Sequence, residues 1–73
     1  MITLKGLLET VLLSQRVTLV RLIDFGEGDQ TLLDKVPHDK IPYSTIAEFL
    51  DSEIVTVEAQ LDENGQPFIY IEL

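Results

Sequence analysis

The chain has 73 residues, enough for one small domain and too few for a second hydrophobic core. Five Lys and Arg against thirteen Asp and Glu give a formal net charge of −8, yet 45% of the residues are hydrophobic, which excludes a disordered acidic tail. No cysteine is present, so disulfides and thiolate metal sites are excluded as well. We therefore expect a single folded domain over residues 1–73.

The first predicted element is an amphipathic helix from Leu4 to Leu13, with Thr3 as its N-cap. Apolar residues recur at the spacing of one helical face, at Leu4, Leu7, Leu8, Val11 and Leu12. Lys5 lies inside this apolar run instead of before it, unlike the basic region of a signal peptide. The run is also shorter than the roughly 18 apolar residues of a membrane span. We therefore expect a cytoplasmic protein with no membrane contact.

The second predicted element is a strand from Arg16 to Asp24 with apolar residues on both faces. Val20 and Leu22 point to one side, and Val17, Leu19 and Ile23 to the other. Such a strand is either central in a sheet and covered twice, or its second face meets a partner. A glycine-containing turn over residues 25–29 then predicts a returning strand from Gln30 to Val36.

A loop at residues 37–40 and a short helix from Tyr43 to Leu50 precede two alternating strands, Glu53 to Leu61 and Phe68 to Leu73. The inward rows are Val55, Val57, Ala59 and Leu61 on the first strand and Ile69, Ile71 and Leu73 on the second. A three-residue loop over residues 63–65 pairs Val57 with Ile71, so that inward residues meet inward residues. This register predicts a type I turn plus bulge with Gly65 in the left-handed conformation.

The element order α-β-β-α-β-β predicts an α+β fold: a small two-layer domain with a four-stranded sheet and the helices on one face.

No catalytic, cofactor or metal site emerges from the sequence. His38 and Asp39 are expected in a solvated loop and not as a catalytic pair, and no serine lies in a nucleophile motif. Gly26 and Gly28 flank Glu27, which would repel phosphate, so they indicate a hairpin turn. The acidic groups at residues 24–29 and 62–64 do not continue as a calcium-binding loop. The negative charge also argues against direct nucleic-acid binding. We therefore predict a protein that is not an enzyme and needs no cofactor.

Four residues are candidates for protein contact. Phe68 and Tyr70 point away from the predicted core, as do Val20 and Leu22 on the doubly apolar strand. Apolar and aromatic side chains on an exposed sheet face can form an interface. With so small a core, these residues predict a homodimer.

Several short segments resemble short acidic, uncharacterised proteins from phages and prophages of Firmicutes. The segments are Thr3–Glu9, Ile41–Tyr43, Leu50–Val55 and Ile69–Leu73. The chain departs from that pattern at Gly6, where glutamate is usual, and in a longer segment between Tyr43 and Leu50. The resemblance implies an accessory protein of a mobile element and brings no site residues with it.

Two functions follow as expectations. The first is a non-enzymatic protein-interaction module, an accessory protein of a phage or prophage that acts on a protein partner. The second is an acidic anti-defence inhibitor that resembles DNA and sequesters a host nuclease or DNA-binding protein, because negative charge steers a basic partner.

Overall fold

The computed structural model describes residues 2–22 and 29–73, with the Leu22 side chain left aside. Its elements are α1 (Leu4–Leu8), β1 (Arg16–Leu22), β2 (Asp29–Pro37), α2 (Tyr43–Ile46), β3 (Thr56–Leu61) and β4 (Pro67–Glu72). Short 3₁₀ turns cover His38–Lys40 and Ala47–Phe49. The predicted element order and the α+β fold with a four-stranded sheet are confirmed.

The sheet is mixed, with the strand order β2-β1-β4-β3. β1 pairs antiparallel with β2 and parallel with β4, and β3 pairs antiparallel with β4. β1 is therefore a central strand, which is one of the two explanations given above for apolar residues on both of its faces. Both of its faces are buried, since Val17 and Leu19 on one side and Thr18 and Val20 on the other are each less than 9% exposed.

The core lies between the helices and one face of the sheet. Leu4 and Leu8 of α1 and Ile46 of α2 are buried in one cluster with Leu19 of β1 and Ile71 of β4. Burial of these side chains contributes about 1.5–3 kcal/mol each and holds two very short helices that would not form alone. The helices lie on one face, as predicted.

Helix α1 is shorter than the predicted helix and ends at Leu8, although Thr3 caps it as expected by accepting a hydrogen bond from the Gly6 amide at 3.2 Å. The Thr10 hydroxyl donates to the Leu7 carbonyl at 2.7 Å, and the Thr10 amide donates to the same oxygen. These bonds replace the next helical turn with tighter turns. Leu12 consequently leaves the apolar face and is 74% exposed.

The C-terminal hairpin has the predicted register. Val57 lies opposite Ile71 and Ala59 opposite Ile69, and the Asp62 amide donates to the Gln66 carbonyl at 2.9 Å. Gly65 has φ = +77°, in the left-handed region. The three-residue bulged turn is confirmed.

Other boundaries differ modestly from the prediction. The short helix predicted to reach Leu50 is α2 followed by a 3₁₀ turn, and β2 begins at Asp29. The predicted turn at residues 25–29 lies outside the described residues apart from Asp29. Within the described ranges, no helix is long and apolar enough to cross a membrane.

The expected burial of the inward row on β3 is wrong. Val55, Val57 and Leu61 are 63%, 44% and 69% exposed, and Ala59 is exposed as well. β3 is an edge strand, and the helix residues of the buried cluster pack over β1, β2 and β4 instead. An apolar row on the helix side of the sheet is thus left open to solvent.

Candidate interaction surface

The structure separates the four residues predicted to contact a partner. Val20 and Phe68 are 5% and 6% exposed, so neither presents a free surface. Tyr70 is half-buried. Leu22 is the last residue of β1, and its side chain lies outside the described part of the structure. The outer face of the sheet is therefore not the open apolar surface that the sequence predicted.

A bulge in β2 places Lys35 over part of that outer face. Lys35 has φ = +53°, and its amide donates to the Thr18 hydroxyl at 3.1 Å. This backbone arrangement brings the Lys35 ammonium to 5.2 Å from the centroid of the Phe68 ring, a cation–π contact. The aliphatic part of a lysine side chain can cover apolar surface while its charge stays in water. Phe68 thus serves the packing of the domain.

Tyr70 lies in an acidic part of the same face. Interaction with the nearby Glu72 carboxylate raises the pKa of the Tyr70 phenol, and burial and the other nearby negative charges act in the same direction. The phenol therefore stays protonated at neutral pH, and the carboxylates that surround it belong to its own sheet. This arrangement favours a structural role for Tyr70.

The open apolar surface lies at the other side of the sheet. We call it the β3 edge surface and define it as the exposed side chains of Val55, Val57, Ala59 and Leu61 with the outward-facing backbone of residues 57, 59 and 61. Three of these side chains, Val55, Val57 and Leu61, belong to the exposed large hydrophobic residues of the described chain. Exposed apolar residues gathered in a row mark an interaction surface more specifically than scattered ones.

The backbone at this edge is available for pairing. In an antiparallel pair, alternate residues direct both their N–H and C=O groups to the same neighbour. The Asp62 amide bonds to the Gln66 carbonyl, so residues 56, 58, 60 and 62 face β4. The Leu73 amide bonds to Val20 of β1, which gives the same parity from the other side of β4. Val57, Ala59 and Leu61 therefore direct their backbone groups away from the sheet.

The two edges of the sheet differ. The register of β2 against β1 shifts twice, between Val17 and Leu19 and between Leu19 and Val20, and β2 ends at Pro37. Bulges, lysine and proline are common protections against pairing with another chain. β3 pairs with β4 in an unbroken register and carries neither lysine nor proline. Only β3 of the two described edges retains a regular strand with an apolar side.

Sequence reasoning missed this surface, although the signal was present. The alternation of Val55, Val57, Ala59 and Leu61 predicts a strand with one apolar face, but it does not tell whether helices cover that face. Position in the sheet decides this, and the strand order comes from the pairing of β1 with β4, whose paired residues are 52 apart in sequence.

The surroundings of His38 are the second feature of the structure that could bind a ligand. A surface cavity of about 520 Å³ is lined by apolar side chains, including Leu8 and Leu50, and by Lys5, Tyr43 and His38. His38 is 8% exposed, which corrects the expectation of a solvated loop histidine. His38 is the first residue of a 3₁₀ turn and lies against the segment after α1, where the His38 amide donates to the Gln15 carbonyl at 2.8 Å.

Both ring nitrogens of His38 have partners. Nδ1 lies 2.9 Å from the Val11 carbonyl oxygen, and because a carbonyl only accepts, Nδ1 carries the proton. Nε2 lies 2.8 Å from the Tyr43 hydroxyl oxygen and shares a hydrogen bond with it. These bonds leave no free nitrogen for Asp39 and join the segment after α1 to the start of α2. His38 acts as a structural clamp.

Acidic residues of the C-terminal turn are engaged in the fold. Asp62 Oδ2 lies 2.8 Å from Arg16, and Asp62 Oδ1 accepts from the Asn64 and Gln66 amides, each at 2.9 Å. The Gln66 amide is the main cause that lowers the pKa of Asp62, with Arg16 and Asn64 acting in the same direction against burial. In the described part of the chain, no three His, Asp or Glu side chains come together as metal ligands. Asp24 and Glu27 of the other acidic group lie outside that part.

Comparison of the chain with protein-family models, with curated proteins and with solved structures found no match.

Proposed function

We propose that this protein is a non-enzymatic protein-interaction module that binds another polypeptide strand at the β3 edge surface. One observation carries the proposal: a regular edge strand whose outward backbone groups lie beside an exposed apolar row at Val57, Ala59 and Leu61. Strand addition to a sheet edge gains affinity from main-chain hydrogen bonds and specificity from alternate side chains. The β3 edge surface offers both.

The resemblance to short acidic phage and prophage proteins supports a role as an accessory protein of a mobile element in the host cytoplasm. An interaction role fits that setting, because the described residues offer a regular strand edge beside an exposed apolar row. In the His38 cavity both His38 nitrogens are already used within the fold, so the imidazole offers no free nitrogen to a ligand there.

The test begins with capture of partners from host lysate and continues with the purified partner. Hydrogen exchange measured with and without the partner should show new protection at the amides of Val57, Ala59 and Leu61. Leu61→Lys should weaken binding, while Leu12→Lys, at another highly exposed leucine, should not. Protection confined to other residues, or equal losses for both variants, would show that the β3 edge surface is not the binding site.

The acidic inhibitor is the second candidate, and the exposure of the carboxylates favours it. Glu9, Asp34, Asp51, Glu58 and Glu63 are all exposed, and in the described residues only Asp62 and Asp34 form ion pairs. A basic partner captured by this field would bind more slowly at high ionic strength, because exposed charges are screened over about 8 Å at physiological salt. The association rate measured at low and high salt therefore distinguishes the inhibitor from strand addition.

A further inference from the structure

We propose that the strand bound at the β3 edge surface is β3 of a second copy, antiparallel, with Ala59 on the twofold axis. This inference rests on the proposed function and names its partner. The resulting homodimer would have a continuous eight-stranded sheet.

The register follows from the outward backbone groups. A twofold axis perpendicular to the sheet keeps the apolar side of both copies on one face, and it opposes residues of the same parity. With Ala59 opposite Ala59, Val57 lies opposite Leu61 at both ends. All three outward residues then pair with outward residues, so every unpaired edge group between 57 and 61 gains a partner.

Neighbouring registers pair fewer of the outward backbone N–H and C=O groups and bring like charges together. A shift in one direction places Glu58 opposite Glu58 of the other copy, and Leu61 then faces Val55, whose amide already donates to the Glu72 carbonyl at 2.8 Å. A shift in the other direction places Glu58 opposite Asp62. Like charges directly opposite one another destabilise a strand pair.

The proposed register instead places Glu58 opposite Gln60. Within one chain the Gln60 amide already donates to the Glu58 carboxylate at 2.9 Å, so the two side chains are of suitable length and chemistry to pair. Across the axis this pair occurs twice. The apolar rows of the two copies also lie next to each other, with the small Ala59 residues at the centre and the larger Val57 and Leu61 on either side.

The contact is small and carries like charge. Six residues of strand extend only roughly 20 Å, and a single pair of strand edges buries less area than the roughly 800 Å² per partner of a standard stable complex. Each copy has a net charge of −8, and the two copies repel one another at low ionic strength. We expect a weak, concentration-dependent dimer that salt strengthens, whereas salt weakens the capture of a basic partner.

The first experiment measures mass by sedimentation equilibrium up to about 1 mM protein, at about 50 mM and about 500 mM salt. The expected result is a mass that rises from 8.2 kDa towards twice that value, more at high salt. Leu61→Lys should weaken association by about tenfold or more, and Leu12→Lys should leave it unchanged. A mass that stays at 8.2 kDa under every condition would overturn the inference.

The second experiment tests the register by oxidation of single-cysteine variants, since the chain contains no cysteine. With Ala59 on the axis, the two copies of Ala59→Cys bring their Cα atoms to about 5.5 Å, within the range of a disulfide. Glu58→Cys and Leu12→Cys serve as controls, because Glu58 opposes itself only in the shifted register. Ala59→Cys should form the covalent dimer fastest, and equal or faster crosslinking of Glu58→Cys would refute the register.

The two proposals fail separately. If the chain stays monomeric but another partner protects the amides of residues 57, 59 and 61, strand addition stands and the second copy is not its occupant. If neither association nor partner binding responds to Leu61→Lys, both proposals are wrong. Circular dichroism of each variant verifies folding. If Leu61→Lys unfolds, the crosslinking of the milder Ala59→Cys variant still tests whether the dimer forms.

Discussion

Gly65 determines the geometry of the C-terminal turn through its backbone alone. Its φ of +77° is in a region that L-residues rarely adopt, while a Cβ at this position would have no atom within 4 Å beyond its chain neighbours. The penalty for another residue is therefore conformational and not a clash with the rest of the domain.

Gly65→Val should lower the free energy of unfolding by about 1–2 kcal/mol, because the Cβ of a residue in the left-handed region crowds its own backbone. Gly65→Asn should lose less, since asparagine tolerates this conformation. Urea denaturation of the three proteins checks the order. Equal midpoints for glycine and valine would be incompatible with the bulged turn.

Asp62 stabilises the same turn through its charge. Hydrogen bonds from the Gln66 and Asn64 amides and the ion pair with Arg16 lower the pKa of Asp62 below its ordinary 3.8. A carboxyl with a lowered folded-state pKa stabilises the fold above its unfolded-state pKa. That stabilisation is lost as the pH falls through the lower folded-state value.

Asp62→Asn should therefore melt at a lower temperature than the wild type at pH 7, and the difference should shrink below about pH 3.8. Asparagine keeps an oxygen for the two amides and removes only the charge facing Arg16. Glu63→Gln, at an exposed position in the same turn, is the control and should change little. A difference that does not vary with pH would show that the carboxylate charge is not the cause.

At the scale of elements, the two short helices are held in place by hydrogen bonds between the segments next to them. α1 has five residues and α2 four, too few to be stable alone in water. His38 ties the segment after α1 to the segment before α2 through the Val11 carbonyl and the Tyr43 hydroxyl. The Asp39 amide adds a bond to the Leu13 carbonyl at 3.0 Å.

His38→Ala should lower the free energy of unfolding by about 1–3 kcal/mol, because it leaves the Val11 carbonyl without its donor in a part-buried place. Asp39→Ala removes only an exposed side chain and keeps the backbone bond, so it should be nearly neutral. Chemical denaturation compares the two. An effect of Asp39→Ala as large as that of His38→Ala would contradict the clamp.

At the scale of the whole molecule, a small core supports the domain. Stability of roughly 0.05–0.15 kcal/mol per residue corresponds to about 4–11 kcal/mol for a chain of this length. A single fully buried side chain is a large part of that total. Ile71, Leu19 and Val17 are all completely buried at the centre of the sheet.

Ile71→Ala should cost about 2–5 kcal/mol, through lost burial and the cavity left behind. Leu12→Ala, at an exposed leucine, should change stability by no more than about 0.5 kcal/mol. Thermal unfolding at low micromolar protein keeps association out of the comparison. A small effect at Ile71 would mean that the core is less tightly packed than the structure shows.

Much of the fold followed from local chemistry. Apolar periodicity predicted the order of helices and strands, and Thr3 predicted the start of α1. The register of the β3–β4 hairpin could be derived because a one-residue slip reverses the faces of a strand, and Gly65 supplies the backbone conformation that the chosen loop requires. The doubly apolar pattern of β1 likewise indicated either a central strand or a second face covered by a partner, and the first of these is what the structure shows. These features depend on residues close together in sequence.

Other features depended on contacts between distant residues, and only the tertiary structure decided them. The parallel pairing of β1 with β4 leaves β3 at an edge, which turns a predicted core row at Val57 and Leu61 into an open surface. The β2 bulge at Lys35 covers Phe68, which the sequence had suggested as a contact residue. Burial depends on which elements lie above a strand, and hydrophobic alternation is the same whether that neighbour belongs to the same chain or to another.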